Sequence, residues 1–175
     1  MPVYVALLRA VNVGGTGTLP MAELKAICQE LGFADVATFI QSGNVLFRSA
    51  LAEPGVAASL DAALAARMGK APGVLLRSGK EMQAAANGSP FADAEPSRLL
   101  VSFLPEPPAA DALDRLVAPG GERVAVVGRE IYVHYPDGAG RSKLKLPALK
   151  AATARNLNTV RKLAEMAAAM EADKK

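Results

Sequence analysis

The order of apolar segments in the first half of the chain restricts the fold more than any other feature of this sequence. Short segments with strand patterns and longer segments with helix patterns alternate there. In chain order they are a strand at 2–8, a helix at 20–32, strands at 36–41 and 44–48, a helix at 54–68 and a strand at 73–77. This βαββαβ order is typical of the ferredoxin-like arrangement, in which an antiparallel sheet carries two helices on one face. The sequence therefore predicts an α+β fold with a ferredoxin-like first lobe.

The second half of the chain repeats part of this order. A linking helix over residues 80–86 ends at an Asn-Gly-Ser-Pro breaker. The segments that follow are a strand at 98–104, a helix at 109–117, a hairpin of strands 123–127 and 130–135, a loop at 136–140, and helix from there to the C-terminus. We expect two small lobes, residues 1–88 and 89–175. The second is predicted to be a related α+β lobe that ends in C-terminal helices.

Composition excludes several classes of protein. The chain has 175 residues, of which 51% are hydrophobic, and this is enough for a buried core. Its single cysteine, Cys28, cannot form an intrachain disulfide, so we expect a cytoplasmic protein. With one cysteine and one histidine the sequence offers no zinc cluster, and no cofactor is expected. No apolar run approaches the ~18 residues that cross a bilayer, so no membrane partner is expected.

The C-terminal part of the chain is locally basic. Residues 138–164 contain no acidic residue and carry Arg141, Lys143, Lys145, Lys150, Arg155, Arg161 and Lys162. Thr153 is predicted to cap a helix that starts near Ala154. The predicted ligand-binding residues of this segment are Arg155, Asn158, Thr159 and Lys162 on the polar side of that helix, with Lys143 before it. Such a set suits an anion such as phosphate or carboxylate. The alternative is an ordinary solvated face.

Two turns in the first lobe form a second candidate site. A Gly-rich loop follows a strand and precedes a helix, as phosphate-binding loops do, but it matches neither the P-loop nor the dinucleotide fingerprint. The predicted ligand-binding residues here are Arg9, Asn12, Gly14, Gly15, Gln41, Ser42, Gly43 and Asn44. The alternatives are a flexible loop and ordinary turn chemistry in a hairpin. No catalytic residue is assigned, because this set contains no strong general base.

Three segments taken together resemble one protein family. They are YVALLRAVNVGG at 4–15, QSGNV at 41–45 and TARNLNTV at 153–160, and PMAEL at 20–24 and SKL at 142–144 add to the match. The chain is similar over nearly its whole length to the uncharacterised bacterial family called domain of unknown function 1697. The family pattern has glycine where this chain has Ala10 and an aromatic residue where it has Leu157. The resemblance implies a bacterial cytoplasmic protein of two α+β lobes, and it implies no established activity.

These observations leave three functions open. The first is a binding module for a nucleic acid or a phosphorylated molecule, based on the basic segment and on a topology that many RNA binders share. The second is a small-molecule enzyme whose site is formed by the Gly-rich loop and the turn at residues 41–44. The third is a protein-interaction domain or an oligomer that pairs through exposed strand edges. We rank the binding module first.

Overall fold

A computed structural model describes residues 1–9, 19–40 and 43–173 of the protein. Within these ranges the chain forms four α-helices and eight strands in two four-stranded antiparallel sheets, which confirms the predicted α+β class. The helices are α1 Met21–Glu30, α2 Glu53–Met68, α3 Gly79–Asn87 and α4 Leu157–Ala172. The strands are β1 Val3–Leu8, β2 Ala34–Phe39, β3 Asn44–Arg48, β4 Val74–Ser78, β5 Leu99–Phe103, β6 Arg123–Val127, β7 Glu130–His134 and β8 Thr153–Asn156.

The first sheet has the strand order β2-β3-β1-β4. Its pairings are all antiparallel, and Tyr4 of β1 lies opposite Phe47 of β3 on one side and Ser78 of β4 on the other. This is the strand order of the split βαβ unit, so the ferredoxin-like topology predicted from the sequence is confirmed.

Helices α1 and α2 supply the apolar layer on one face of this sheet. The core cluster on that face includes Tyr4, Ala6 and Leu8, which alternate along β1. Phe33 stacks on Phe47 in the same cluster, with ring centroids 4.3 Å apart. All six residues of β1 are buried, so neither face of the sheet is open at its centre.

Short local signals start and end these helices. Pro54 lies in the first turn of α2, where its missing N–H costs nothing, and Gly69 ends the helix in the left-handed region at φ 81°. A capping box starts α3: the Glu81 N–H donates to the Ser78 hydroxyl, and the Ser78 N–H donates to the Glu81 carboxylate. These signals lie within a few residues of each other, so the sequence predicted both helices.

The second sheet repeats the topology of the first with different connections. Its order is β6-β7-β5-β8, which matches β2-β3-β1-β4 strand for strand. The predicted helix over residues 109–117 is wrong, because only Ala112–Arg115 winds there, as a 3-10 helix. Pro108 and Pro119 bound this segment. Two turns of α-helix are too few to offset the cost of helix nucleation.

The predicted helix start at Ala154, with Thr153 as its cap, is also wrong. Residues Thr153–Asn156 form strand β8, in which Thr153 lies opposite Phe103 of β5. Helix α4 begins after this strand, and the Asn156 side-chain oxygen accepts a hydrogen bond of 2.9 Å from the Thr159 N–H. Pairing with β5 overrides the local helical periodicity, because a strand register depends on residues far away in sequence.

Corresponding outer strands of the two sheets carry a buried arginine at the same register. Arg77 of β4 lies opposite Val5 of β1, and Arg155 of β8 lies opposite Val101 of β5. Both arginines are buried. The residue after each one, Ser78 or Asn156, caps the helix that follows. The predicted relation between the two halves therefore extends to single positions of each sheet.

The chain divides into two compact units. The first consists of Met1–Met82 with Leu163–Lys175, and the second of Gln83–Lys162. The last turns of α4 thus group with the first unit, where the Met170 carbonyl accepts a hydrogen bond from the Arg48 guanidinium. The boundary between lobes that the sequence predicts at residues 88 and 89 stays a prediction.

A buried tyrosine makes the stability of the second unit depend on pH. Tyr132 of β7 is 1% exposed, and its hydroxyl donates to the Ala85 carbonyl at 2.6 Å. Burial, aided by the charge of Glu130, raises the pKa of Tyr132 from 10.0 to about 12. The folded chain therefore keeps this proton where the unfolded chain loses it. The resulting stabilisation is complete below pH ~10 and is lost as the pH rises to ~12.

We expect Tyr132→Phe to lower the free energy of unfolding by about 1–2 kcal/mol at pH 8, because the Ala85 carbonyl loses a donor. At pH 11 this difference should shrink by about 1 kcal/mol. The unfolded wild type is stabilised there by ionisation of Tyr132, and the phenylalanine variant has no such group. Urea titrations followed by circular dichroism at both pH values measure the two differences. An equal difference at pH 8 and pH 11 would contradict the assigned pKa.

Candidate anion-binding site

A cavity of about 260 Å³ lies in the second unit, where the chain leaves strand β7. Its lining comes from the segment before β6 and from the segment after β7. The side chains that matter for its chemistry are Glu122, Tyr135, Asp137, Arg141, Ser142 and Lys143. Gly138, at φ 87°, lies in the turn after Tyr135, within the second of these segments.

A carboxylate joins the two segments that line the cavity. The Ser142 hydroxyl donates to one Glu122 oxygen at 2.9 Å, and the Gly120 N–H donates to the other at 2.8 Å. The Ser142 hydroxyl also accepts from the Leu144 N–H at 3.1 Å. Glu122 and Ser142 therefore hold the wall of the cavity in place, and less of the Glu122 charge is available to a ligand.

The surroundings shift two titratable groups of this cavity in opposite directions. Partial desolvation opposes ionisation of Glu122, but hydrogen bonds from its own N–H, the Ser142 hydroxyl and the Gly120 N–H outweigh it and lower the pKa of the carboxyl group. Burial raises the pKa of the Tyr135 hydroxyl, and the neighbouring Glu122 charge adds to this rise. At neutral pH the cavity therefore holds an ionised Glu122 and a neutral Tyr135.

Three cations project from the chain that leaves the cavity, and we call Arg141, Lys143 and Lys145 the basic row. All three are exposed, whereas Ser142 and Leu144 between them are partly buried. Arg141 ends the short 3-10 helix Ala139–Arg141, and Lys143 and Lys145 follow it in non-helical chain that reaches an antiparallel bridge between Lys145 and Val117. Val117 fixes the end of the row, because it exchanges backbone hydrogen bonds of 2.9 and 2.8 Å with Lys145.

The basic row carries more uncompensated charge than the cavity, because Arg141 and Lys143 share the cavity with two carboxylates and Lys145 lies outside it. Among the ion pairs of the described residues, none involves a member of the row. Inside the cavity, Arg141 and Lys143 are balanced by the carboxylates of Glu122 and Asp137. The positive field is therefore stronger along the row than within the cavity. A ligand with several negative charges in line would use it better than a single small anion.

The predicted site residues of the C-terminal segment fall into three environments. Lys143 lies in the basic row. Arg155 points away from solvent, since it is 7% exposed and donates to the Thr153 hydroxyl at 2.7 Å and to the Ala154 carbonyl at 3.0 Å. Burial lowers the pKa of its guanidinium to about 10. Asn158, Thr159 and Lys162 occupy the first turns of α4. The single helical face predicted for these residues does not form, because Arg155 belongs to a strand.

The predicted site residues of the first unit are only partly described. Asn12, Gly14, Gly15, Gln41 and Ser42 lie outside the described residues. Arg9 and Gly43 lie at the same end of the first sheet, where the Leu8 N–H donates to the Gly43 carbonyl and the Arg9 N–H donates to the Gly73 carbonyl. Asn44 is fully buried, and its side-chain amide donates to the Phe39 carbonyl at 3.1 Å, which closes the β2–β3 hairpin. This contact is the turn chemistry that the sequence offered as the alternative for Asn44.

Sequence reasoning did not assign Arg141, Lys145 or Glu122 to a site. The signal for the first two was present, because cations occupy every second position of residues 141–145 in a stretch without acidic residues. The helix predicted over this region hid that spacing. No sequence signal marked Glu122, whose partner Ser142 lies 20 residues further along the chain.

Comparison with known proteins identifies the family. The family model described as protein of unknown function (DUF1697) matches residues 1–132. The chain belongs to this family. The resemblance found from the sequence motifs of the DUF1697 family is thereby confirmed, and the family carries no assigned activity. No curated protein matched the chain.

A solved structure shows that the fold recurs. The conserved bacterial protein SP0830 from Streptococcus pneumoniae has a TM-score of 0.77 and 24% sequence identity, and the match covers 95% of this chain and 98% of that one. At this identity the likeness supports the two-lobed α+β fold and nothing about a ligand.

A metal centre and a membrane-spanning helix are two other features that would indicate a function. Within residues 1–9, 19–40 and 43–173 no three His, Cys, Asp or Glu side chains come close enough together to hold a metal ion. Over the same part of the chain, none of the helices combines the length and the apolar character needed to span a bilayer.

Proposed function

We propose that this DUF1697 protein binds the phosphate backbone of a nucleic acid through the basic row. The observation that carries the proposal is that Arg141, Lys143 and Lys145 are exposed, occupy every second position and form no ion pair within the described part of the chain, in a stretch without acidic residues. A row of cations releases counterions from a polyanion, and this supplies most of the free energy of non-specific nucleic-acid binding.

The position of the basic row favours binding of the phosphate backbone over the base stacking that ferredoxin-like RNA binders use. Such binders stack bases on aromatic side chains of an open sheet face. Here both β1 and β3 are buried along their whole length, so the centre of the first sheet offers no open face. Binding through the loop after β7 does not require an open sheet face.

The balanced charge of the cavity favours a polymer over a small phosphorylated molecule as the ligand. A small anion held by Arg141 and Lys143 would also face the carboxylates of Glu122 and Asp137. A backbone that follows the row meets Lys145 as well, which lies outside the cavity lining. We therefore expect weak, sequence-independent binding with dissociation constants of roughly 1–100 μM at physiological salt.

Fluorescence anisotropy with labelled single-stranded RNA, single-stranded DNA and duplex DNA of about 20 nucleotides tests the proposal. For a single strand that contacts the three cations, log K should fall with log salt concentration with a slope near −2. Replacing Arg141, Lys143 and Lys145 together by glutamate should weaken binding at least about tenfold and flatten this slope.

A matched variant controls for net charge. Lys25, Lys70 and Lys80 are exposed lysines of the first unit, and replacing them together by glutamate changes the charge by the same amount. We expect this variant to bind like the wild type. Absence of binding at about 50 mM salt, or an equal loss in both triple variants, would overturn the proposal. A cytoplasmic location, which the single cysteine favours, is consistent with nucleic-acid binding and is part of this proposal.

A further inference from the structure

Strand β6 is an outer strand of the second sheet with an accessible edge. Within the described part of the chain it pairs only with β7. None of its five residues is buried, and Val126 and Val127 are 38% and 43% exposed. Its register with β7 is continuous from Arg123 to Val127. It therefore presents a straight row of backbone groups to solvent.

The other outer strands are protected in ways that β6 is not. Strand β2 contains a register shift between Ala34 and Ala37, and Asp35 within it has a φ of 53°. Strands β4 and β8 carry buried residues, among them Arg77 and Arg155. Bulges, charges and covering layers are the devices by which proteins keep sheet edges from pairing.

The one charge on β6 does not protect its edge. The Arg123 guanidinium donates to Asp93 at 3.1 Å and to the Nδ1 atom of His134 at 3.3 Å. It also lies 4.8 Å from the centre of the Phe91 ring. These contacts hold the guanidinium within its own unit. The rest of the strand, residues 124–127, consists of valine and alanine.

We propose that β6 is a self-association edge, where two copies of this chain pair antiparallel through residues 124–126. Val127 lies opposite Glu130 across a two-residue turn, so these two residues form a hydrogen-bonded pair. The N–H and C=O groups of every second residue, Val127, Ala125 and Arg123, therefore point toward β7. Val124 and Val126 then direct their N–H and C=O groups outward. With Ala125 on a two-fold axis, Val124 of each copy meets Val126 of the other and exchanges both hydrogen bonds.

A second copy fits this edge because the strand is complementary to itself. In the two-fold register the cross-strand neighbours are two valine pairs and one alanine pair, and like charges do not face each other. A single pair of five-residue strands buries less than the ~1,200 Å² of a stable interface. We therefore expect a reversible dimer with a dissociation constant of roughly 10–1,000 μM.

Sedimentation equilibrium of the reduced protein between about 10 μM and 1 mM tests the dimer. The average mass of the wild type should rise from 18.1 kDa toward twice that value. Val126→Lys should stay at the monomer mass throughout, because each lysine would replace a valine that meets Val124 of the other copy, and the two lysines would lie diagonally across the two-fold axis. Leu51→Lys, which changes a 46% exposed apolar residue of the first unit in the same way, should dimerise like the wild type.

Circular dichroism and urea titration should show that both lysine variants are folded, since both positions are exposed. A wild type that stays at 18.1 kDa up to about 1 mM would overturn the proposal and leave the edge to a different partner. Dimerisation of Val126→Lys equal to that of the wild type would overturn it as well, because the contact would then lie elsewhere.

Discussion

Replacing Phe47 by alanine should lower the free energy of unfolding by about 3–5 kcal/mol, the largest effect we expect from a single substitution. Phe47 of β3 is 0% exposed. Its ring stacks on Phe33 at 4.3 Å with 9° between the ring planes, and it lies 6.1 Å from the ring of Tyr4. Alanine would leave a cavity against both rings, and a close-packed β-sheet and two helices cannot collapse into it.

Urea unfolding followed by circular dichroism measures this loss. Leu51→Ala is the control, because Leu51 is exposed, and we expect its effect to stay within about 0.5 kcal/mol. A double-mutant cycle with Phe33→Leu should give a coupling energy of about 0.5–1.5 kcal/mol for the stacked pair. A loss below about 1 kcal/mol for Phe47→Ala would mean that the first core is not packed around this ring.

The second large effect concerns the buried Arg155, where two substitutions should change the free energy of unfolding by different amounts. Arg155→Ala should lower the free energy of unfolding by about 2–4 kcal/mol. It leaves a void and removes the N–H that donates to the Thr153 hydroxyl at 2.7 Å. Arg155→Met keeps most of the volume and removes a charge that burial already destabilises, as its lowered pKa of about 10 shows. Such an exchange of a buried charge for an apolar side chain is often neutral or stabilising.

The same pair of variants separates structure from binding at this position. Arg155 was predicted from the sequence as a ligand residue, whereas the buried guanidinium belongs to the interior of the second sheet. We expect Arg155→Met to unfold within about 1 kcal/mol of the wild type and to bind nucleic acid unchanged. If this variant were stable but did not bind, Arg155 would act on the ligand as first predicted. Equal destabilisation by alanine and methionine would contradict the structural role.

The first half of the chain could be predicted well because its signals are local. Strand β1 is a short apolar run, Pro54 and Gly69 bound α2, and Gly43 with a φ of 85° marks the hairpin between β2 and β3. Each of these signals acts over a few residues. The βαββαβ order then leaves few ways to bury all the apolar faces, and the ferredoxin-like sheet is one of them.

The second half was predicted less well because long-range pairing decides its conformation. Residues 153–156 follow the helical periodicity of the chain after them, yet they form β8 against β5, which lies about 50 residues earlier in sequence. The 109–117 segment has helix-forming residues but too little length between prolines to use them. The first error arises because β5 supplies the hydrogen bonds of residues 153–156, and the second because a short segment cannot offset the cost of helix nucleation.

At the candidate site, too, some features follow from local sequence and others from long-range pairing. The sequence by itself determined that a basic, acid-free segment follows the last hairpin and that the protein belongs among α+β folds of the DUF1697 family. The tertiary structure decided which cations face solvent. It placed Arg155 in strand β8 and left Arg141, Lys143 and Lys145 exposed. A charge pattern is local, but the burial of each charge depends on the strand that pairs with it, and pairing partners are distant in sequence.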